Sequence, residues 1–195
     1  MKPVDRSEIL PLGDYEAIRD RFRGRVIAEK QQRRAKVGDS MSVVFENHDT
    51  VLLQIQEMLR TERITREDAI LHEITTYNEI VPGDDQLSMT LFIEVDDKPS
   101  REALLAACAG MEAHVFIESD GQRHAATAAS RDGAEPGRTT AVQYYLIDLG
   151  DAAPALRDGA VARMAVVVDH PGYSQRADLD ATTIAQLSGD LRWSS

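Results

Sequence analysis

One cysteine in 195 residues leaves nothing to pair within the chain. Cys108 excludes an intramolecular disulfide, and its setting in Leu104-Leu105-Ala106-Ala107-Cys108-Ala109 is that of a packing residue in a reducing compartment. No apolar run approaches the roughly 18 residues of a membrane span. The start, Met1-Lys2-Pro3-Val4-Asp5-Arg6-Ser7, has no hydrophobic signal core. A cytoplasmic, membrane-free protein is the reading. Positive charge is also short: a net charge of -11 gives no general attraction to nucleic acid or anionic lipid. H-E-x-x-H, cysteine pairs, G-x-S-x-G, a phosphate-cradling glycine loop and a dinucleotide fingerprint are all missing, so no cofactor is predicted.

What is present begins with core: 43% hydrophobic residues in a chain this long suffice for one large domain or two small ones. The clearest stretch follows the β-prone run Met41 to Phe45. Glu46-Asn47-His48-Asp49 breaks that run, and Asn47 or Asp49 can cap the helix that follows. Val51, Leu52, Ile55, Met58 and Leu59 then share one face, with Gln54, Glu57, Arg60 and Thr61 turned away. His48 and Glu62 are the polar residues on the apolar arc. Lying roughly 21 Å apart at ~1.5 Å per residue, they cannot share one small site. The helix N-terminus disfavours imidazolium at His48 and so suits a neutral, ligand-competent ring, although a capping or packing histidine explains it as well.

Before this stretch, the periodicity predicts a long helix over 14–36 with Tyr15, Ile18, Phe22 and Val26 buried. Glu29 and Arg33 continue that stripe as charges, which makes Arg33 a candidate partner for Glu62. The same segment holds eight basic residues against four acidic. Such an arm signals internal complementarity, a solvated helix face or, less in keeping with the acidic total, an RNA-contacting surface. After the central helix, Thr65 with Asp68 opens a helix buried through Ile70, Ile74, Tyr77 and Val81, and the two form a hairpin. His72 lies on its polar side.

Val81-Pro82-Gly83-Asp84-Asp85 divides a helical region, 1–81, with one strand, from a sheet region, 82–195, unless the two are one continuous domain. Strands are predicted over 86–95, 112–118, 122–128, 140–149 and 160–169, with a Ser119-Asp120-Gly121 hairpin turn, a loop over 129–138, and a last helix capped by Asp180. Two strand–helix–glycine–strand units echo each other through Gly110 and Gly159. The fold class is therefore α+β, a helical half packed on a mainly antiparallel, ferredoxin-like sheet carrying short helices, with Trp193 pinning the tail.

Asp169-His170-Pro171-Gly172-Tyr173 ends the last predicted strand. It reads either as a turn with Tyr173 covering the core edge or as an acid–base or ligand cluster. The sharpest site hypothesis brings Glu46, Asn47, His48 and Asp49 against Asp169, His170 and Tyr173, where a metal ion at His48 and His170 or general acid–base chemistry could operate.

Phe45-Glu46-Asn47 with Thr50, Gln54-Ile55-Gln56-Glu57-Met58, and Val168-Asp169-His170-Pro171-x-Tyr173 give the chain its resemblance. It resembles a family of uncharacterised bacterial proteins catalogued as a domain of unknown function, with genes often beside those of rubrerythrin-like proteins and iron–sulfur oxidoreductase subunits. That resemblance implies an accessory role in a redox or peroxide-detoxifying system, with such a protein as partner. Opposite charge on the helical arm and the sheet also allows a homo-oligomer. Lacking cysteine pairs, the chain would serve an electron carrier without being one.

Overall fold

The computed structural model describes residues 1–129 and 137–192. The loop read over 129–138 lies largely outside these residues, and Trp193 lies wholly outside them.

After the first of three 3-10 turns among the described residues (Arg6–Glu8; the others are Met111–Ala113 and Gly150–Ala152), the elements are α1 (Leu12–Gln31), β1 (Arg34–Val37), β2 (Met41–Glu46), α2 (His48–Thr61), α3 (Glu67–Asn78), β3 (Gln86–Ile93) and α4 (Lys98–Ala107). Then come β4 (Val115–Ser119), β5 (Gln122–Ala128), β6 (Val142–Asp148), α5 (Ala153–Arg157), β7 (Met164–His170), β8 (Tyr173–Asp178) and α6 (Ala181–Arg192). The mixed α+β class holds. The sheet has eight strands in the order β1-β2-β3-β6-β5-β4-β7-β8 and every pairing is antiparallel. It curls until β1 meets β8, forming a near-barrel in place of the ferredoxin-like sheet expected from sequence. The 1–81 and 82–195 regions share it, because β2 pairs with β3 along its whole length.

Two strands account for most of that difference. Arg34-Ala35-Lys36-Val37 is β1 rather than the end of the first helix, which stops at Gln31. Tyr173 to Asp178 is β8, a strand not predicted, so Asp169-His170-Pro171-Gly172-Tyr173 ends β7, as expected, and turns the chain into a hairpin with β8. The two echoed units are real as chain segments, with Gly110 and Gly159 both left-handed (φ 85° and 72°). In neither unit do the two strands pair with each other.

Strand β2 is buried on both faces, which is why its sequence does not alternate. Met41, Val43 and Phe45 point into the barrel core with Leu87, Met89, Leu91, Tyr145, Ile147, Val166 and Val168. A second core lies between α2 and α3: Val51, Ile55 and Leu59 meet Ile70, Ile74, Tyr77 and Val81, and Val4 and Ile9 from the N-terminal segment complete it. The predicted face of α2 is the buried one, with Leu52 and Met58 packed at its edge. Along α1 only Tyr15 and Val26 are buried; Ile18 is 45% exposed. Among the described residues no helix is long and apolar enough to cross a membrane.

Candidate functional site

Asn47 opens α2 through a reciprocal cap. Its Oδ1 accepts the Thr50 N–H at 3.0 Å, and Thr50 Oγ1 accepts the Asn47 N–H at 2.9 Å. This leaves the Asn47 amide nitrogen pointing away from the helix, where it donates to Glu29 Oε1 at 2.5 Å. Glu29, on the last turn of α1, also accepts from Arg33 Nε at 3.1 Å. Arg33 is 3% exposed, and its two terminal nitrogens fork onto the carboxylate of Asp190 in α6 at 2.5 and 2.8 Å. A buried guanidinium is stable only with such acceptors around it. Burial acts to lower the Arg33 pKa, but Asp190 and Glu29 outweigh it and keep the guanidinium firmly protonated. Burial raises the Asp190 carboxyl against the pull of Arg33.

Above this cluster lies His48. Its Nδ1 is 3.3 Å from Asp49 Oδ1 and its Nε2 is 3.1 Å from Glu8 Oε1 on the N-terminal segment. With a carboxylate at each ring nitrogen, the imidazolium satisfies both, and its pKa is raised, chiefly by Asp49 and further by Glu8. The neutral ring expected from the helix dipole is thus overridden by two nearby anions. Asp49 is held down to about 2 by His48 and by Arg25, whose Nη1 is 2.6 Å away. These residues line a cleft of about 720 Å³ between α1, α2, α6 and the N-terminal segment, with Lys2, Glu8, Gln186 and the small Ala185 and Gly189 completing its walls.

Glu46 lies just beneath, buried in β2. Thr90 Oγ1 donates to its Oε1 at 2.6 Å, and Lys30 Nζ is 3.3 Å from its Oε2. The structure thus brings Arg33, Glu46, Asn47, His48 and Asp49 into one region, with partners other than those expected. Arg33 does not meet Glu62, which ends α2 at the exposed surface. Nor does His48 meet His170. Tyr173 Oη is bound at the Val37–Ser40 turn, at the start of β2, whereas His48 follows the end of β2, roughly 17 Å away at ~3.3 Å per strand residue.

The Asp169–Tyr173 segment has a separate set of contacts. His170 Nδ1 accepts the Gly172 N–H at 3.0 Å, and its ring stands edge-on to His114 with centroids 5.1 Å apart. His114 Nδ1 donates to the Asp169 carbonyl at 2.9 Å, while the Asp169 carboxylate takes Arg123 at 3.1 Å. A Cβ on Gly172 would stand 2.1 Å from the Ala107 carbonyl oxygen, so this hairpin presses directly on the end of α4. Among the described residues no three His, Cys, Asp or Glu side chains gather as metal ligands.

Sequence reasoning missed Glu8, Gln186, Gly189 and Asp190. Gln186 and Asp190 are four apart on α6, as are Ala185 and Gly189, a pattern that puts one small and one polar strip on adjoining faces. Six of the eight basic residues of the arm meet acidic side chains: Arg19 and Arg23 face Glu57, Arg25 faces Asp49, Lys30 faces Glu46, Arg33 faces Asp190 and Arg34 faces Glu94.

A family model described as protein of unknown function (DUF3501) matches residues 3–191. A crystal structure at 1.90 Å resolution of a novel protein of unknown function from Burkholderia pseudomallei K96243 is 33% identical, with a TM-score of 0.87. That match covers 97% of this chain and 99% of the other. No curated protein matches the sequence.

Proposed function

The chain belongs to that family of proteins of unknown function, DUF3501, and from this premise we propose that it is an accessory binding protein. Its cleft between α1, α2 and α6 receives a polar group carried by a partner. The observation that carries this reading is Arg33, nearly completely buried on the cleft floor and fixed by Asp190 and Glu29. Hydrophobic residues of similar volume would stabilise a core at least as well. A charged floor therefore favours recognition over packing.

Binding is favoured over catalysis by the same lining. Among the described residues that line it there is no serine, threonine, cysteine or tyrosine side chain. Both nitrogens of His48 are engaged and Asp49 titrates near 2, far from a working acid or base. The pairing of most of the basic arm with acidic neighbours also weighs against RNA as the ligand. The partner class implied by the motif resemblance, a rubrerythrin-like protein or an iron–sulfur oxidoreductase subunit, is the one to test.

Gly189 supplies the discriminating variant, because a Cβ there meets nothing within 4 Å and a larger side chain would project into the cleft without disturbing the core. Calorimetric titration of a purified rubrerythrin-like protein and of an iron–sulfur oxidoreductase subunit should show saturable binding to the native chain. Binding should weaken at least tenfold with Gly189→Leu while the melting temperature is kept. Equal binding by both chains, or none by either, would remove the proposal.

A further inference from the structure

We infer that the face of the α2–α3 hairpin is a peptide-docking site, that residues 4–10 are its built-in occupant, and that a partner peptide of the same pattern displaces them. The inference holds whatever the cleft binds, although Glu8 of this segment also lines the cleft and leaves it when the segment is displaced. It starts from how this segment is held. The side-chain amide of Asn78 reads both backbone groups of Val4: Oδ1 accepts the N–H at 2.8 Å and Nδ2 donates to the carbonyl at 2.9 Å. Gln56 repeats the arrangement at Leu10, accepting the N–H at 2.7 Å and donating to the carbonyl at 3.4 Å. Between these clamps the side chains of Val4 and Ile9 are buried in the hairpin's own core, against residues such as Val51, Ile55 and Ile74.

Apolar anchors in pockets, with amides gripping the main chain, are the means by which a surface binds a separate peptide. No backbone-to-backbone hydrogen bond ties residues 4–10 to the hairpin among the described residues. The segment's internal order is also its own. Ser7 N–H donates to Asp5 Oδ1 at 2.9 Å, Asp5 N–H donates to Glu8 Oε2 at 2.7 Å, and Ile9 N–H donates to the Arg6 carbonyl at 3.2 Å. A peptide that carries its own turn loses less entropy on docking.

Two charges set the register. Arg6 forks onto Glu67 of α3 at 2.8 and 2.9 Å, and Glu8 meets His48 of α2 at 3.1 Å. The partner is thus a peptide with two branched aliphatic residues five positions apart, an arginine two after the first and a carboxylate just before the second. Release of the native segment need not unseat α1. That helix begins after Pro11 and is secured independently, with Tyr15 and Arg19 on Glu57 and Glu16 on Arg60.

The test uses the full chain carrying Val4→Asp and Ile9→Asp, which should expel its own segment, and a labelled peptide of residues 1–10. Fluorescence anisotropy should show saturable binding to this variant. The native chain should bind at least tenfold more weakly, because its own segment competes at an effective concentration on the order of millimolar. Adding Gln56→Ala to the variant should weaken binding about fivefold, the effect of losing roughly one hydrogen-bonded clamp. The peptide carrying Ile9→Asp should not bind. A folded variant that ignores the native peptide, or that takes the Ile9→Asp peptide equally, overturns the inference. So does a variant that cannot fold, since the segment is then core and not ligand.

Discussion

The phenol of Tyr173 donates a 2.6 Å hydrogen bond to the carbonyl of Val37 and accepts the Ser40 N–H at 3.3 Å. One side chain from β8 thereby fastens the turn between β1 and β2, at the place where the sheet curls back on itself. Gly38 makes room for it: with φ +68°, it lies where a Cβ would stand 2.4 Å from the Tyr173 oxygen. Removing the hydroxyl with Tyr173→Phe orphans both backbone groups and should cost about 1–2 kcal/mol in urea unfolding, with the fold retained. An unchanged midpoint would mean that water replaces the phenol there.

Gly172→Ala should be worse, by about 1–3 kcal/mol, because the obstructing atom is the backbone oxygen of Ala107 and the hairpin itself must move. Amide exchange at the end of α4 and in the β7–β8 turn should rise together. A variant as stable as the parent would show that the two elements do not press on each other.

Arg33→Met leaves Asp190 and Glu29 facing each other in a desolvated setting and should cost about 3–5 kcal/mol. Combining it with Asp190→Leu should recover much of that loss, since the penalty belongs to the stranded carboxylate. A double-mutant cycle on thermal unfolding measures the coupling. If the double variant is as unstable as the sum of the singles, the pair is not a unit.

For His48 the sign follows from its raised pKa. Its contribution is complete below the unfolded value of 6.5 and disappears as pH rises through the higher folded value. Asp49 acts in the opposite sense: its contribution is present above 3.8 and lost as pH falls toward about 2. Stability from this pair is therefore fullest between about pH 4 and pH 6.5. The urea midpoint should fall between pH 6 and pH 8.5 in the native chain, and that component should vanish with His48→Gln. Proton NMR should place the His48 titration above 6.5, and lower again with Glu8→Gln.

How far the sequence foretold this arrangement depends on the range of each interaction. The cap at Asn47 and the buried line Val51, Ile55, Leu59 were legible because both are local, set by spacing along a few turns. β1 is hidden from sequence because Arg34-Ala35-Lys36 continues a charged, helix-like run and only Val37 of the strand is buried. β8 is missing from the strands predicted because only Ala177 among its six residues is buried. An edge strand with one face in water has little pattern to show. The bond from Arg33 to Asp190 spans 157 positions, and nothing near either residue announces the other. Of the two motif segments, one lines the cleft and the other fastens the hoop, a division that only the folded chain reveals.

β1 and β8 touch without sharing a ladder, so among the described residues the hoop of strands has a gap that no backbone pairing closes and that the Tyr173 phenol spans at one end only. α6 bridges it: Thr183 Oγ1 reaches the Gln32 carbonyl at 3.0 Å, and Asp190 grips Arg33 beside the start of β1. The helix behaves as the tongue of a buckle, and the cleft runs beneath that tongue. Whatever wedges between Asp190 and Arg33 would slacken the hoop itself, turning occupancy at one small opening into loosening along the entire circumference.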